Sequence, residues 1–380
     1  MKIGFFHDHV FLYKDGSRYT SGTLDSKLWE RYLVRDIDQV VVCCRERQAE
    51  EDDILGPIAS SEFVEFKPSP SLSSIPSLLF GFNHSFVKKV VEQVDYVVVR
   101  LPSEIGFVAA KYAKKLKKPV VCEVVGCPFD GLSGYGTLKA KVYAPIIKYR
   151  MKNVVELCDG ALYVTERALQ NKYPNKRSQN ASNVTIKSIN NGCVSHRLIR
   201  FDNKKIINIG LIGALDNDIK GVNIAIKALA SIQGVKLKVL GKGDPSRFDD
   251  LAKKHGVDVS FDGFISEKNK ILDWLDDIDI YIQPSFQEGL PRATIEAMSR
   301  GCIVASSNAG GLNELTLEQF IHSPGDYKKL SKDLTSIIHS TLDKKEDYIQ
   351  HSLTQSSKYL QEKLRIKRTE FYNSIFNGQY

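Results

Sequence analysis

Long apolar runs are missing from this chain: none approaches the ~18 residues that a membrane-spanning helix needs. That excludes a helical integral membrane protein. The N-terminal Met1-Lys2-Ile3-Gly4-Phe5-Phe6-His7 is too short an apolar run for a signal peptide and reads as a first strand. The seven cysteines are odd in number and lack any Cys-x-x-Cys pair. A disulfide framework and a structural zinc site are therefore excluded, and a reducing cytoplasm is expected. No repeat or low-complexity segment is present, and 42% hydrophobic with 26% charged residues is the balance of a soluble globular protein. A length of 380 residues implies two domains of ordinary size.

Charge is unevenly placed. Of a net +8, residues 101–200 carry 17 Lys and Arg against 6 Asp and Glu, so the remainder is slightly acidic. A basic region of this kind suits an anionic partner. Nucleic acid is not expected, because the segment carries no recognised binding motif.

Both halves alternate short apolar strands with amphipathic helices, the pattern of parallel α/β sheets. Strands are expected at 2–6, 39–44, 63–66, 95–99, 119–124 and 160–164, then at 206–212, 236–240, 258–261, 279–283, 302–306 and 319–322. Helices are expected at 23–34, 84–93, 104–116, 138–157, 166–172, 221–232, 267–277 and 326–341, with further charged helices over 344–376. The expected architecture is two Rossmann-like domains whose parallel sheets face across a cleft. They span 1–197 and 198–361 and are joined near 195–203, and a final helix at about 362–380 packs back on the first.

The most informative segment is Pro284-Ser285-Phe286-Gln287-Glu288-Gly289-Leu290-Pro291-Arg292-Ala293-Thr294-Ile295-Glu296-Ala297-Met298. Pro284, Gly289 and Pro291 break a short buried strand, and Pro291 suits the first turn of a helix that Gly301 ends. Glu288 thus sits in a loop, and Glu296 lies more than one turn into the helix. Carboxylates accept bidentate hydrogen bonds from vicinal hydroxyls, and free backbone amides at a helix start take phosphates. The arrangement suits a polyhydroxylated, phosphorylated ligand.

With these flanks, and with Gly301, Gly310-Gly311 and Glu314 further on, the segment resembles the E-x7-E signature of retaining glycosyltransferases of the GT-B fold, family 4 type. Ile206 to Gly213 reads as a strand ending in glycine, followed by a loop and by Lys220-Gly221 at a helix start. This resembles the family's diphosphate-binding element, with Lys220 at the position of the diphosphate lysine. The family's arginine is replaced by Ala214, so Arg292 or another cation must substitute, or the donor is held less tightly. Gly241 and Gly263-Phe264 end the next two strands, where glycines let a base approach the backbone. The resemblance implies that Glu296 binds the nucleotide ribose. It implies that Glu288 binds the transferred sugar, lined by Gly289, Leu290 and Pro291. Lys220 would stabilise the leaving diphosphate. No metal or other cofactor is expected: the nucleotide-sugar is a substrate, and Asp216-Asn217-Asp218 is one of several chance acidic triplets.

The first domain is less legible. Ser21-Gly22-Thr23 follows the first strand, where the family has a glycine-rich loop. Glu123 stands where many members carry a histidine. Gly22, His9, Glu123 and Asp130 are the acceptor-side candidates. Residues 138–152 interleave basic with apolar and aromatic side chains, and the loop at 78–82 is apolar. Both suit an anionic membrane surface, although a buried amphipathic helix gives the same pattern. The reading is a retaining hexosyltransferase that moves a sugar from a nucleotide-sugar, UDP favoured, to a glycan. The expected acceptor is a lipid-linked oligosaccharide of cell-surface polysaccharide assembly (O-antigen, capsule or exopolysaccharide), on the inner membrane face. A sugar-nucleotide epimerase of the same fold and a non-catalytic binding relative stay open.

Overall fold

The computed structural model describes residues 1–20, 24–129, 138–203 and 206–376. They form two compact units, Met1–Asn183 with Arg365–Tyr380, and Val184–Leu364.

In the first unit the strands are β1 (Lys2–Lys14), β2 (Ser17–Tyr19), β3 (Gln39–Gln48), β4 (Val64–Phe66), β5 (Tyr96–Leu101), β6 (Val120–Val124), β7 (Gly160–Tyr163) and β8 (Ser178–Asn180). They lie in the order β4-β3-β1-β5-β6-β7-β8, all parallel, with β2 antiparallel on β1. Its helices are α1 (Ser26–Trp29), α2 (Ile75–Phe80), α3 (His84–Glu92), α4 (Glu104–Lys115), α5 (Leu138–Leu157) and α6 (Ala168–Lys172). Runs such as Val97-Val98-Val99 are fully buried, as strands covered on both faces require. Phe6, Val97, Val99 and Cys122 pack against α3, α4 and α5. On the other face Ile3, Phe5, Val98 and Val121 meet Trp29, Tyr32 and Phe371, Tyr372, Ile375 and Phe376 from near the chain end. Each such aliphatic contributes ~1.5–3 kcal/mol by leaving water.

The second unit has β9 (Ile207–Ile212), β10 (Val235–Leu240), β11 (Val259–Phe261), β12 (Ile280–Gln283), β13 (Ile303–Ser307) and β14 (Ile321–His322), all parallel, in the order β11-β10-β9-β12-β13-β14. Its helices are α7 (Cys193–Asn203), α8 (Val222–Leu229), α9 (Ser246–His255), α10 (Lys268–Asp276), α11 (Arg292–Ser299), α12 (Tyr327–His339) and α13 (Leu342–Ser356); α14 (Gln361–Phe376) leads back to the first unit.

Several features differ from expectation. The segment read as a loop at 78–82 begins as helix: α2 runs over Ile75–Phe80, with Ser74 capping it and Gly81 ending it, and β8 (Ser178–Asn180) adds an edge strand. β1 does not stop at Phe6. It runs to Lys14, with a register shift between Phe6 and Val10, and turns into β2 through Asp15-Gly16. Both turn residues have positive φ (48° and 78°), the geometry of a two-residue hairpin that Asp-Gly favours. Residues 195–203 are not a linker; they belong to α7. Its buried Arg197 donates to the carbonyls of Arg300 (2.7 Å), Ile278 (2.5 Å) and Leu275 (3.2 Å) at the C-terminal ends of α10 and α11. One guanidinium so meets the orphan acceptors of two helix ends, which fixes α7 in the second unit. The units divide at Asn183/Val184 and Leu364/Arg365 instead. Helix α9, with Phe248 and Ala252 buried and Gly256 as its left-handed cap, was not anticipated.

Glu123 anchors α14. Tyr32 (3.0 Å) and Tyr372 (2.8 Å) both donate to its Oε1, and Arg100 Nη1 stands 3.6 Å from Oε2. Burial pushes this carboxyl up, but Arg100, Arg31 and Arg368 outweigh it and hold it below the usual glutamate range. Its stabilising contribution is therefore present above its unfolded pKa and is lost as pH falls through the lowered one. Tyr372→Phe should cost about 1.5–3 kcal/mol in urea unfolding and speed amide exchange along 365–376 first; unchanged exchange there would refute the anchor.

Candidate functional site

In the second unit the strand order reverses between β9 and β12, the point at which α/β sheets open a crevice beyond their strand ends. Lys220 follows β9 and Glu288 follows β12. Lys220 Nζ lies 2.6 Å from Glu288 Oε1. Two glycines make this approach. Gly221, at φ +73°, would place a Cβ 2.2 Å from the Pro284 carbonyl oxygen. Gly310, at φ +55°, would place one 2.1 Å from the Glu288 carbonyl oxygen. Phe286 N–H donates to Ile219 O (2.8 Å) and Gly311 N–H to Gly289 O (2.7 Å). The Glu288 loop is thus clamped from both sides. Gly221 also caps α8; its own N–H is spent on Asp218 O (2.9 Å), so the helix amides that can face a ligand begin at Val222.

A file of buried polar groups leads to the same carboxylate. Ile212 N–H donates to Tyr281 OH (3.3 Å), Tyr281 to Gln283 Oε1 (2.7 Å), Gln283 Nε2 to Ser285 Oγ (2.8 Å), and Ser285 to Glu288 Oε1 (2.9 Å). Sequence reading used Ser285 only as a motif flank and missed Tyr281 and Gln283. The available signal was polar residues at 281, 283 and 285, every second position on one side of a central strand that should be apolar.

Glu296 sits in α11 after the Pro291 cap and is only 5% exposed. Its nearest cation is Lys268 Nζ, 3.9 Å from Oε1. Burial pushes its carboxyl above the usual range, and Lys268 and Arg292 offset this only in part. Thr294 Oγ1, two residues earlier in α11, is buried without a partner. Gly289 is exposed, Leu290 packs against the apolar cluster around Ile295 and Met298, and Arg292 is exposed at the helix start. Gly213, Gly241 and Gly263 come together beyond β9, β10 and β11: Gly213 N–H donates to Leu240 O (2.9 Å) and Gly241 N–H to Gly263 O (2.7 Å). Phe264 beside them is 69% exposed. Ala214 brings no cation, but Arg247 reaches its loop from α9, donating to Leu215 O at 3.0 Å and pairing with Asp218 at 3.4 Å. Among the described residues no cluster of three or more His, Cys, Asp or Glu could hold a metal.

The acceptor-side candidates fare differently. Gly22 and Asp130 lie outside the described residues. Glu123 is a buried structural node, not an open carboxylate, because Tyr32, Tyr372 and Arg100 occupy it. His9 lies within β1, its Nε2 2.8 Å from Thr20 Oγ1 and its ring edge-on to Phe11. Burial first, then Arg100 and Arg45, lower its pKa and favour the neutral ring.

Two α/β units built on parallel strands, one of them with a lysine, two glutamates and converging glycines at its switch point, have the GT-B fold. Residues 207–340 match the family described as glycosyl transferases group 1. Protein CapJ of Staphylococcus aureus is 33% identical over 100% of this chain and 98% of its own length. The chain belongs to the group 1 glycosyltransferases. Among solved structures it is similar in fold to Anabaena HepE in complex with UDP (TM-score 0.65, 17% identity, 98% of this chain and 100% of that one). It is also similar to WaaG, a glycosyltransferase involved in lipopolysaccharide biosynthesis (TM-score 0.58, 16% identity, 100% of both).

Gly221→Ala should unfold at lower temperature by a margin equal to at least ~2 kcal/mol, since both the positive φ and the Pro284 oxygen oppose a Cβ. A melting temperature matching the parent would show that the two loops do not meet as described.

Proposed function

We propose that this protein transfers a hexose from a UDP-sugar to a hydroxyl of a lipid-linked glycan, with retention, in cell-surface polysaccharide assembly. The observation that carries the reading is the Lys220–Glu288 pair at the switch point, with the buried, under-compensated Glu296 more than one turn into α11. In this reading Glu296 accepts the ribose hydroxyls and Glu288 accepts sugar hydroxyls. The donor diphosphate takes over Lys220 and the amides at the start of α8. The bond from the anomeric carbon to the diphosphate breaks. The acceptor oxygen bonds to the same face, and its proton passes to the leaving diphosphate. Lys220 and the helix start stabilise the charge that develops there, without a metal. HepE and WaaG support the donor class and the glycan setting by analogy of fold alone.

The first unit would serve the acceptor, and its surface supports work at the inner face of an anionic membrane. A cavity of about 510 Å³ is lined by Leu78, Phe107, Val108, Tyr112 and Ile146, with Lys111 and Lys115 among its walls. Phe80, Phe82 and Tyr149 are each more than 60% exposed. Apolar side chains beside lysines suit a lipid interface. No helix among the described residues is long and apolar enough to cross a membrane.

Saturation-transfer NMR against UDP-, GDP-, ADP- and TDP-sugars tests the donor. A selective UDP-sugar signal is expected; none from any nucleotide-sugar would leave a non-catalytic relative, and isomerisation of the donor without acceptor would indicate an epimerase. Glu296→Ala should lose about 1–3 kcal/mol of donor affinity. Because the Glu296 carboxyl is raised, parent affinity should fall with pH at a point above the ordinary glutamate range, as protonation removes the acceptor. Glu296→Gln should lack that transition and gain stability at neutral pH, where the parent carries a buried charge; an identical pH profile would remove the ribose role. Lys220→Ala should reduce turnover about 10²–10³-fold with little change in sugar preference, and turnover near the parent's would end its catalytic role.

A further inference from the structure

Two donors converge on Glu288 Oε1: Lys220 Nζ at 2.6 Å and Ser285 Oγ at 2.9 Å. Among the described residues the side-chain donors to Glu288 both meet Oε1, which leaves Oε2 to a ligand. The file behind Ser285 has a single direction. A backbone N–H can only donate, so Tyr281 OH accepts from Ile212 and spends its own proton on Gln283 Oε1. The amide oxygen can only accept, which fixes the Gln283 amide so that Nε2 faces Ser285. Ser285 must then give its proton to the carboxylate, which can only accept. Tyr281, Gln283 and Ser285 are each no more than 1% exposed, so water does not compete for these links. Ser285 is held further by its own backbone, whose carbonyl accepts from Ser307 Oγ at 2.6 Å.

We propose that Tyr281, Gln283 and Ser285 are positioning residues that keep Glu288 oriented toward the transferred sugar when Lys220 leaves it for the donor diphosphate. This rests on the donor roles given to Lys220 and Glu288 above. A carboxylate held only by the lysine would lose its orientation at the moment the diphosphate claims that lysine. The file supplies a second hold, rooted in the backbone of β9, that the donor does not disturb. Gln283 carries the direction set by the Ile212 N–H on to Ser285, because the amide is the one member whose two ends are chemically different.

Affinities of UDP and of the tightest-binding UDP-hexose from a panel, measured by calorimetry, separate positioning from general damage. Gln283→Leu keeps the volume and removes both links. It should weaken the UDP-hexose about tenfold while UDP itself changes less than twofold. Tyr281→Phe, which frees the amide to turn over, should act in the same direction and more weakly. In a Glu288→Ala background Gln283→Leu should have no further effect on UDP-hexose binding. Equal weakening of UDP and UDP-hexose, or an undiminished effect in that background, would overturn the proposal. If the parent binds neither UDP nor any UDP-hexose, the donor reading fails on its own account. The crystal structure of Gln283→Leu then decides the positioning claim: a Glu288 carboxylate displaced from Ser285 supports it, and an unmoved one refutes it.

Discussion

Everything at the second unit's switch point depends on how closely the backbone after β9 approaches the backbone after β12. Only the missing Cβ of Gly221 lets the chain pass the Pro284 carbonyl, and the Phe286–Ile219 hydrogen bond closes the contact. That approach brings Lys220 to Glu288 across 68 positions of sequence. Gly310 repeats the device from the far side, so the glutamate loop sits in a backbone vice. A loop so constrained loses little freedom when a ligand arrives, which lowers the entropic cost of binding.

The chain's three notable glutamates show why burial alone does not mark function. Glu123 is buried with two tyrosine donors and an arginine, and the surrounding cations hold its carboxyl down. Its charge is compensated, and its work is to hold α14. Glu296 is buried to a similar degree, yet its nearest cation is a half-exposed lysine at 3.9 Å, and burial pushes its carboxyl up. A charge left short of partners costs stability, and such sites are where proteins give up stability for function. Glu288 lies between these cases: among the described residues one oxygen is doubly held and the other has no side-chain donor.

The alternating apolar runs made both sheets legible, and proline and glycine punctuation located Glu288, Glu296 and Lys220 on the right elements. Period and punctuation report local backbone state, and these features are local. What escaped depends on distant partners. The role of Glu123 is set by Tyr372, 249 positions away. The identity of 195–203 as helix was obscured because Arg197 resembles a solvated linker residue until the carbonyls of Leu275, Ile278 and Arg300 are in place. The β1–β2 hairpin was readable from Asp15-Gly16, but the histidines before it looked like a loop. Tyr281 and Gln283 were visible as a breach of the apolar pattern in a central strand, which is a sign of a polar network and not of poor strand character.

Ala214 gives this charge arrangement a further meaning. With no arginine in that place, Lys220 is the cation nearest the start of α8, and at rest it is neutralised by Glu288. In the proposed reading the donor must compete with a carboxylate at 2.6 Å for that ammonium. The diphosphate would win by its greater charge and by the amides at the start of α8, and the displaced carboxylate would be held in place by Ser285. After transfer the competition would run the other way: Glu288, still oriented, would recapture Lys220 as the nucleotide leaves. In that reading the same ion pair would limit how tightly the empty site holds free nucleotide and would help to expel the product, so a missing arginine would cost affinity at a step where tight binding would slow turnover.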